Sequence, residues 1–357
     1  MGKNSYPSYL VREHKYDLLN TRKIIEIIIF LLVVLLLIPS LSVAKKLNFI
    51  RIGTGGLTGV YYPIGKIIAH GLTGIDSKGL SQDQGEYGIS GFIGVAQNSA
   101  GSIDNVRGVV SGTIEAGLVQ ADVAFQAYHN QTVFKENKRS NSVRAIASLY
   151  PEKFQIVTRQ DAHIQSFSDL RGKRISLDEA GSGTLAVMRI AFAAHGMTEA
   201  DLLPVYLKPV FTHEKMINGE IQGFVMMAGT PMKAVSQLMG SGISLVPISP
   251  KIASSIQAKY PYLVPGRIPA NVYPGIPEIS TIQVYALLVV NESMDDHLVY
   301  QITESLWSKR TLSMLKKEHT QGKSITPQTA LKGLSIPIHP GAKKYYHEHR
   351  QKFDSFQ

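Results

Sequence analysis

Two glycine-rich runs carry residue types able to hold a charged group: Gly53-Thr54-Gly55-Gly56-Leu57-Thr58-Gly59 and Gly181-Ser182-Gly183-Thr184. Each follows a β-branched stretch and precedes an amphipathic one, so each reads as the turn from a strand into a helix. The first N–H groups of a helix lack acceptors and sit at the positive end of its dipole, which suits them to carboxylates and phosphates. Glycine lets backbone approach a ligand, and Ser and Thr add hydroxyl donors. Asn98-Ser99-Ala100-Gly101-Ser102 and Gly229-Thr230-Pro231 have a similar make-up. An ordinary N-cap is the alternative for each junction alone. The three nonadjacent glycine points of the first run exceed what capping needs.

Other chemistries find less support. The first glycine run continues into Val60 and Tyr61 rather than the Gly-Lys-Ser/Thr ending of a nucleotide-binding P-loop, and no Gly-x-Ser-x-Gly elbow occurs. Gly181-x-Gly183-x-x-Ala186, with Asp201 some twenty residues on, imitates a dinucleotide fingerprint, but the same loop serves any anion. His339, His347 and His349 lie close in sequence, yet neighbouring helix positions point apart, so a solvated face is the expectation rather than a metal site. Arg159 and Lys208 are read as surface ion-pair partners. With no cysteine, disulfides, thiolate metal sites, a cysteine nucleophile and a lipidated cysteine are all excluded.

The elements that position these groups emerge from patterning. From Leu47 onward short β-branched runs alternate with amphipathic stretches, the pattern of an α/β chain with a largely parallel sheet. Strands are expected at Leu47 to Ile52, Arg174 to Leu177, Phe224 to Met227 and Ile282 to Val290. Helices are expected after the glycine-rich and related turns, with Ile64, Ile67, Ile68 and Leu72, then Ile103, Val106 and Val110, then Leu185, Met188 and Phe192, and finally Val235 and Leu238 on their inner faces. Such helix starts gather at the carboxyl edge of a sheet, so four of them suggest two facing lobes sharing a crevice. At 357 residues and 44% hydrophobic, the chain is long enough for two such domains.

Ahead of them, Arg22 and Lys23 precede an apolar run from Ile27 to Ile38 that Pro39 ends, and Ser42-Val43-Ala44 comes next, the order of a secretory signal peptide. An uncleaved membrane anchor is the alternative, and either one exports the remainder of the chain. The net charge of +10 is scattered, which implies a basic surface rather than a nucleic-acid face and favours an anionic ligand in the crevice.

Ile52-Gly53-Thr54-Gly55-Gly56-Leu57-Thr58-Gly59-Val60-Tyr61-Tyr62-Pro63-Ile64-Gly65 resembles the opening signature of the TAXI family, the substrate-binding receptors of TRAP-type transporters. The similarity continues in the family's order through Ser99 to Asn105, Leu118 to Asp122, Ser148 to Glu152, Phe167 to Arg174, Gly181 to Thr184 and Ile338 to Tyr346. The resemblance implies a two-lobed, type II-like periplasmic-binding-protein fold with two crossover hinge strands. It also implies a periplasmic receptor, expected to be a monomer, that uses no cofactor and performs no catalysis. The ligand would be a small anionic one, glutamate- or glutamine-like or a dicarboxylate, and the partners would be TRAP-type membrane permease subunits. On this reading residues 1–44 are the export segment, 45–148 with 282–357 one lobe, and 149–281 the other.

Carried over by motif, Thr54, Gly55, Gly56 and Thr58 lie beside the ligand and Tyr62 closes on it. Ser99 and Gln120 face the cleft from the same lobe, Ser182, Gly183 and Thr184 supply donors from the other, and Gly229, Thr230 and Pro231 form the rim. The chain departs from the family pattern in the long polar segment Gly74 to Gly91, at Ala100, and at Gln222-Gly223. A membrane-attached ligand sensor and an enzyme using the same cleft are the competing readings.

Overall fold

The computed structural model describes residues 22–31, 48–74 and 88–353. Residues 1–46 and 47–357 form separate compact units. In the first unit, residues 22–31 are helical, with Ile24, Ile25, Ile27 and Ile28 exposed. Ser42-Val43-Ala44, the end of the apolar run, and most of the polar segment Gly74 to Gly91 lie outside the described residues. No helix among the described residues is long and apolar enough to cross a membrane.

The second unit is built on one mixed sheet of ten strands. Strands β1 (Asn48–Gly53), β2 (Phe92–Gln97) and β3 (Ala116–Gln120) are parallel neighbours, alternating with helices α1 (Tyr61–Leu72) and α2 (Ser102–Ser111). Helix α3 (Ala121–Tyr128) then leads to the long strand β4 (Val143–Arg159). Past it come β5 (Arg174–Ser176), α4 (Gly183–Ala194), β6 (Leu203–Val205), β7 (Gly223–Ala228), β8 (Ile243–Leu245), α5 (Pro250–Lys259) and β9 (Val264–Ile268). The second long strand, β10 (Ile279–Asn291), precedes α6 (Asp296–Leu306), α7 (Lys309–Glu318) and α8 (Pro340–Glu348).

The two long strands belong to both halves of the sheet. The last part of β10, Ala286 to Val290, pairs with β3, while its first part, Ile279 to Gln283, pairs with β9. On β4, Lys153 to Thr158 pair with β7, and Val143 to Ser148 pair with the last part of β10. The β4–β10 register shifts between Tyr285 and Leu287 and again between Leu288 and Val289, as at a β-bulge. The result is an α/β fold of two lobes joined by two shared strands.

Successive strand residues feed opposite faces of this sheet. Leu118, Phe224, Met226 and Leu288 join one apolar cluster, and Val119, Val225, Met227 and Leu287 join the other. Burial on both faces is why these strands read as continuous apolar runs. The expected inner faces of the first and third helices are buried, with Ile64, Ile68, Leu72, Leu185, Met188 and Phe192 all inside.

Candidate functional site

The carboxyl ends of β1, β2, β3, β5 and β7 converge on a cavity of about 50 Å³ between the two halves. That volume holds a few waters. The facing loops already touch: Ile103 N donates to Gly181 O at 3.2 Å. A Cβ built on Gly183 would lie 2.5 Å from the Gln120 carboxamide, so any larger residue would have to push that buried amide aside. Gly101, at φ +113°, takes a backbone conformation other residues avoid as it leads into α2.

Of the residues assigned from sequence, Gly55, Gly56, Gln120, Ser182, Gly183 and Thr184 line the cavity. Thr54 and Ser99 do not. Thr54 Oγ1 donates to Gln97 O at 2.8 Å, and Ser99 Oγ lies 2.9 Å from Thr54 O and 2.7 Å from Asn105 Oδ1. Together with Asn105 Nδ2, which donates to Thr54 O at 2.7 Å, they lock the β1 turn onto α2. Thr58 is also outside the lining, and its hydroxyl is buried without a partner among the described residues.

Tyr61 rather than Tyr62 reaches the cavity. Consecutive helix positions are turned about 100° apart, so once α1 begins at Tyr61 with Ile64, Gly65 and Ile68 inside, only one of the two rings can face inward. The Tyr61 hydroxyl donates to Glu152 Oε2 at 3.0 Å and lies 3.3 Å from Ser102 Oγ.

Gly229, Thr230 and Pro231 are likewise outside the lining. The helix beyond them has only four residues, Lys233–Ser236, so it offers no appreciable dipole. Gln321 Nε2 donates to Thr230 O at 2.6 Å and ties this turn to the C-terminal segment.

The hydroxyls of Ser182 and Thr184 are committed within the protein. Ser182 Oγ caps α4 by accepting from Leu185 N at 3.1 Å, and Thr184 Oγ1 accepts from Met227 N at 3.2 Å. Both also stand on the carboxylate of Asp178. What α4 presents to the cavity is the backbone of Gly183 and Thr184, whose N–H groups have no intrahelical acceptor.

The residues that motif reading missed are acidic. Glu152, 1% exposed, and Asp178, 6% exposed, line the cavity with Glu179. Burial pushes the Glu152 carboxyl well above the usual range; the Tyr61 hydrogen bond opposes this and the nearby Asp122 carboxyl adds to it. Burial carries Asp178 to about 7, against the hydrogen bonds from Glu179 N, Thr184 and Ser182. Asp178 also holds a left-handed backbone, φ +66°, of the strained kind that clusters at ligand sites. Glu179 is raised by burial, opposed by Lys208, whose Nζ lies 3.7 Å from its Oε2.

A signal for both residues was present: Glu152 interrupts an apolar strand, and Asp178 stands at the carboxyl end of one, just ahead of the second glycine run. The remaining candidates are placed elsewhere. Asp201 caps its own turn and pairs with Arg171, Arg159 pairs with Asp161, and His339 is a buried helix cap.

Residues 52–349 match the NMT1-like family. Among solved structures, the alkanesulfonate-binding protein of Xanthomonas axonopodis pv. citri bound to MOPS is 12% identical, over 85% of this chain and 84% of that one, with a TM-score of 0.47. The periplasmic aliphatic sulphonate-binding protein of Escherichia coli is 13% identical over 85% and 83%, with a TM-score of 0.44. A periplasmic binding protein of Salmonella typhimurium with high arginine specificity is 15% identical over 76% and 98%, with a TM-score of 0.43.

Proposed function

For this chain, which belongs to the NMT1-like family, we propose the role of an exported solute-binding receptor that captures a small carboxylate between its lobes and hands it to a membrane transporter. One observation carries the reading: the N-terminal turns of α2 and α4, one from each lobe, meet at a single cavity where Ser102, Gly183 and Thr184 face inward. A carboxylate there takes up N–H groups that the helices cannot satisfy themselves. Shared strands beneath the cavity allow the lobes to move as bodies about β4 and β10.

The glycine-rich motifs support a periplasmic receptor of the TRAP type, and the order of Arg22 to Ala44 supports export. The ligand is glutamate- or glutamine-like, or a dicarboxylate, and leaves the cavity unchanged.

Thermal melting of the purified chain against amino acids and dicarboxylates tests the capture step. At least one is expected to raise the melting temperature and to be recovered intact; turnover of the ligand would make the protein an enzyme. Uptake by permease-bearing vesicles should then need the loaded receptor and an ion gradient. A requirement for ATP would overturn the TRAP-type partner.

A further inference from the structure

We infer that the ligand of this cavity carries a cationic amine as well as a carboxylate, the amine seated at the acceptors Glu152 and Gln120 Oε1. The inference rests on reading the cavity as a solute site and narrows the ligand from any small carboxylate to a zwitterion.

The lining is lopsided in charge. It contains Glu152, Asp178 and Glu179, and no Lys, Arg or His is among its residues. The cation Lys208 stands at Glu179, and among the described ion pairs none is made by Glu152 or Asp178. The positive charge of the whole chain therefore reaches the cavity only through Lys208 behind Glu179, and not at Glu152.

The acceptors are also short of donors. Tyr61 gives Glu152 one hydrogen bond, to Oε2. Gln120 is 3% exposed and its Oε1 has no hydrogen-bond partner among the described residues. Buried acceptors left in this way are costly, and an ammonium group brings three N–H donors and a charge of the right sign. A carboxylate on the same ligand then falls to the N-terminal turns of α2 and α4. A dicarboxylate lacking the amine would add a second anion to a site that already holds three acids.

The groups facing Glu152 are Tyr61, Tyr150 and Asp122, and those facing Asp178 are Glu179, Ser182 and Thr184. None of these is a cation, and burial favours the protonated forms of Glu152 and Asp178 in the empty site. Seating an ammonium draws those protons off. Seating a second carboxylate beside Glu152 would instead retain or take up protons, because an added anion disfavours the ionised form of a neighbouring carboxyl.

The two outcomes are separable by titration calorimetry on the whole chain at pH 7, in buffers of different ionisation enthalpy. The probes are pairs matched except for the amine: glutamine with glutaramate, glutamate with glutarate, and 4-aminobutyrate with butyrate. In each pair that binds, the amine-bearing member is expected to bind about tenfold or more tightly and to release protons. Glu152→Gln should weaken that member by about tenfold and remove most of the preference within the pair. Equal or tighter binding of the amine-free members, or proton uptake, would overturn the amine subsite while leaving the receptor reading intact. Binding by none of the six would overturn the receptor reading and the inference with it. Should Glu152→Gln fail to fold, the matched pairs on the unaltered chain decide the matter.

Discussion

Asp122 offers a test of the electrostatics that does not depend on knowing the ligand. It lies in the first turn of α3, fully buried, and neither carboxylate oxygen has a hydrogen-bond partner among the described residues. Burial raises its pKa from 3.8 to about 7; the N–H groups of Val123 and Asp122 itself ease this without forming a well-aligned bond. A carboxyl whose folded pKa lies above its unfolded one keeps a proton that the unfolded chain gives up. Stability is therefore greatest below the unfolded pKa and falls as pH rises through the folded one. At 1.36 kcal/mol per pH unit the full loss is about 4 kcal/mol, of which about 3 falls between pH 4.5 and pH 8.

Asp122→Asn keeps the shape and removes the titration, at a roughly constant cost for the buried amide. Melting curves of the two proteins should accordingly cross. The variant should gain on the parent by about 3 kcal/mol between pH 4.5 and pH 8, seen as a relative shift on the order of 5–10 °C. Removing Asp122 also lowers the neighbouring Glu152, which acts in the same direction. A difference in melting temperature that stays constant over this pH range would refute the argument, because it would mean that Asp122 is ionised and solvated in the native state.

Ser182→Ala should cost about 1 kcal/mol, seen as a lower melting temperature at pH 5, since it removes the α4 cap to Leu185 N and a hydrogen bond to Asp178; an unchanged melting temperature would mean the cap contributes nothing. A ligand present at a hundredfold excess over its dissociation constant should stabilise the parent by about 2.7 kcal/mol and shrink its radius of gyration in small-angle scattering. Gly183→Ala places a methyl against the Gln120 carboxamide and should abolish that shrinkage without unfolding the protein. Stabilisation of the parent with no change in radius would refute lobe closure.

Much of the fold was legible because its causes are local. The apolar spacing of Ile64, Ile67, Ile68 and Leu72 allows one amphipathic helix, and Ser182 with the phase of Leu185, Met188 and Phe192 fixes another. Gly183 and Gln120 could be assigned to one cleft from motif order, and they do meet there. Residue type alone did not reveal which hydroxyls were already committed. Ser99, Thr54 and Thr184 carry the expected donors, but Asn105 Oδ1, Gln97 O and the Asp178 carboxylate accept from them first.

The sequence by itself determined where strands turn into helices, because periodicity and capping act over a few residues, and it placed glycine where α4 meets the Gln120 side chain. The phase of α1 that turns Tyr61 inward follows from the spacing of Ile64, Ile68 and Leu72, whereas only the tertiary structure decided the clamping of the Gly229 turn by Gln321, ninety-one residues from Thr230. It also decided the sign of the cleft. A net charge of +10 says nothing about which side chains are buried, and Glu152 and Asp178 come to line one cavity as desolvated acids only because β4 and β10 run through both lobes and bring β1, β3, β5 and β7 to one edge. Desolvation depends on what surrounds a group in three dimensions, and those neighbours are contributed by strands far apart along the chain.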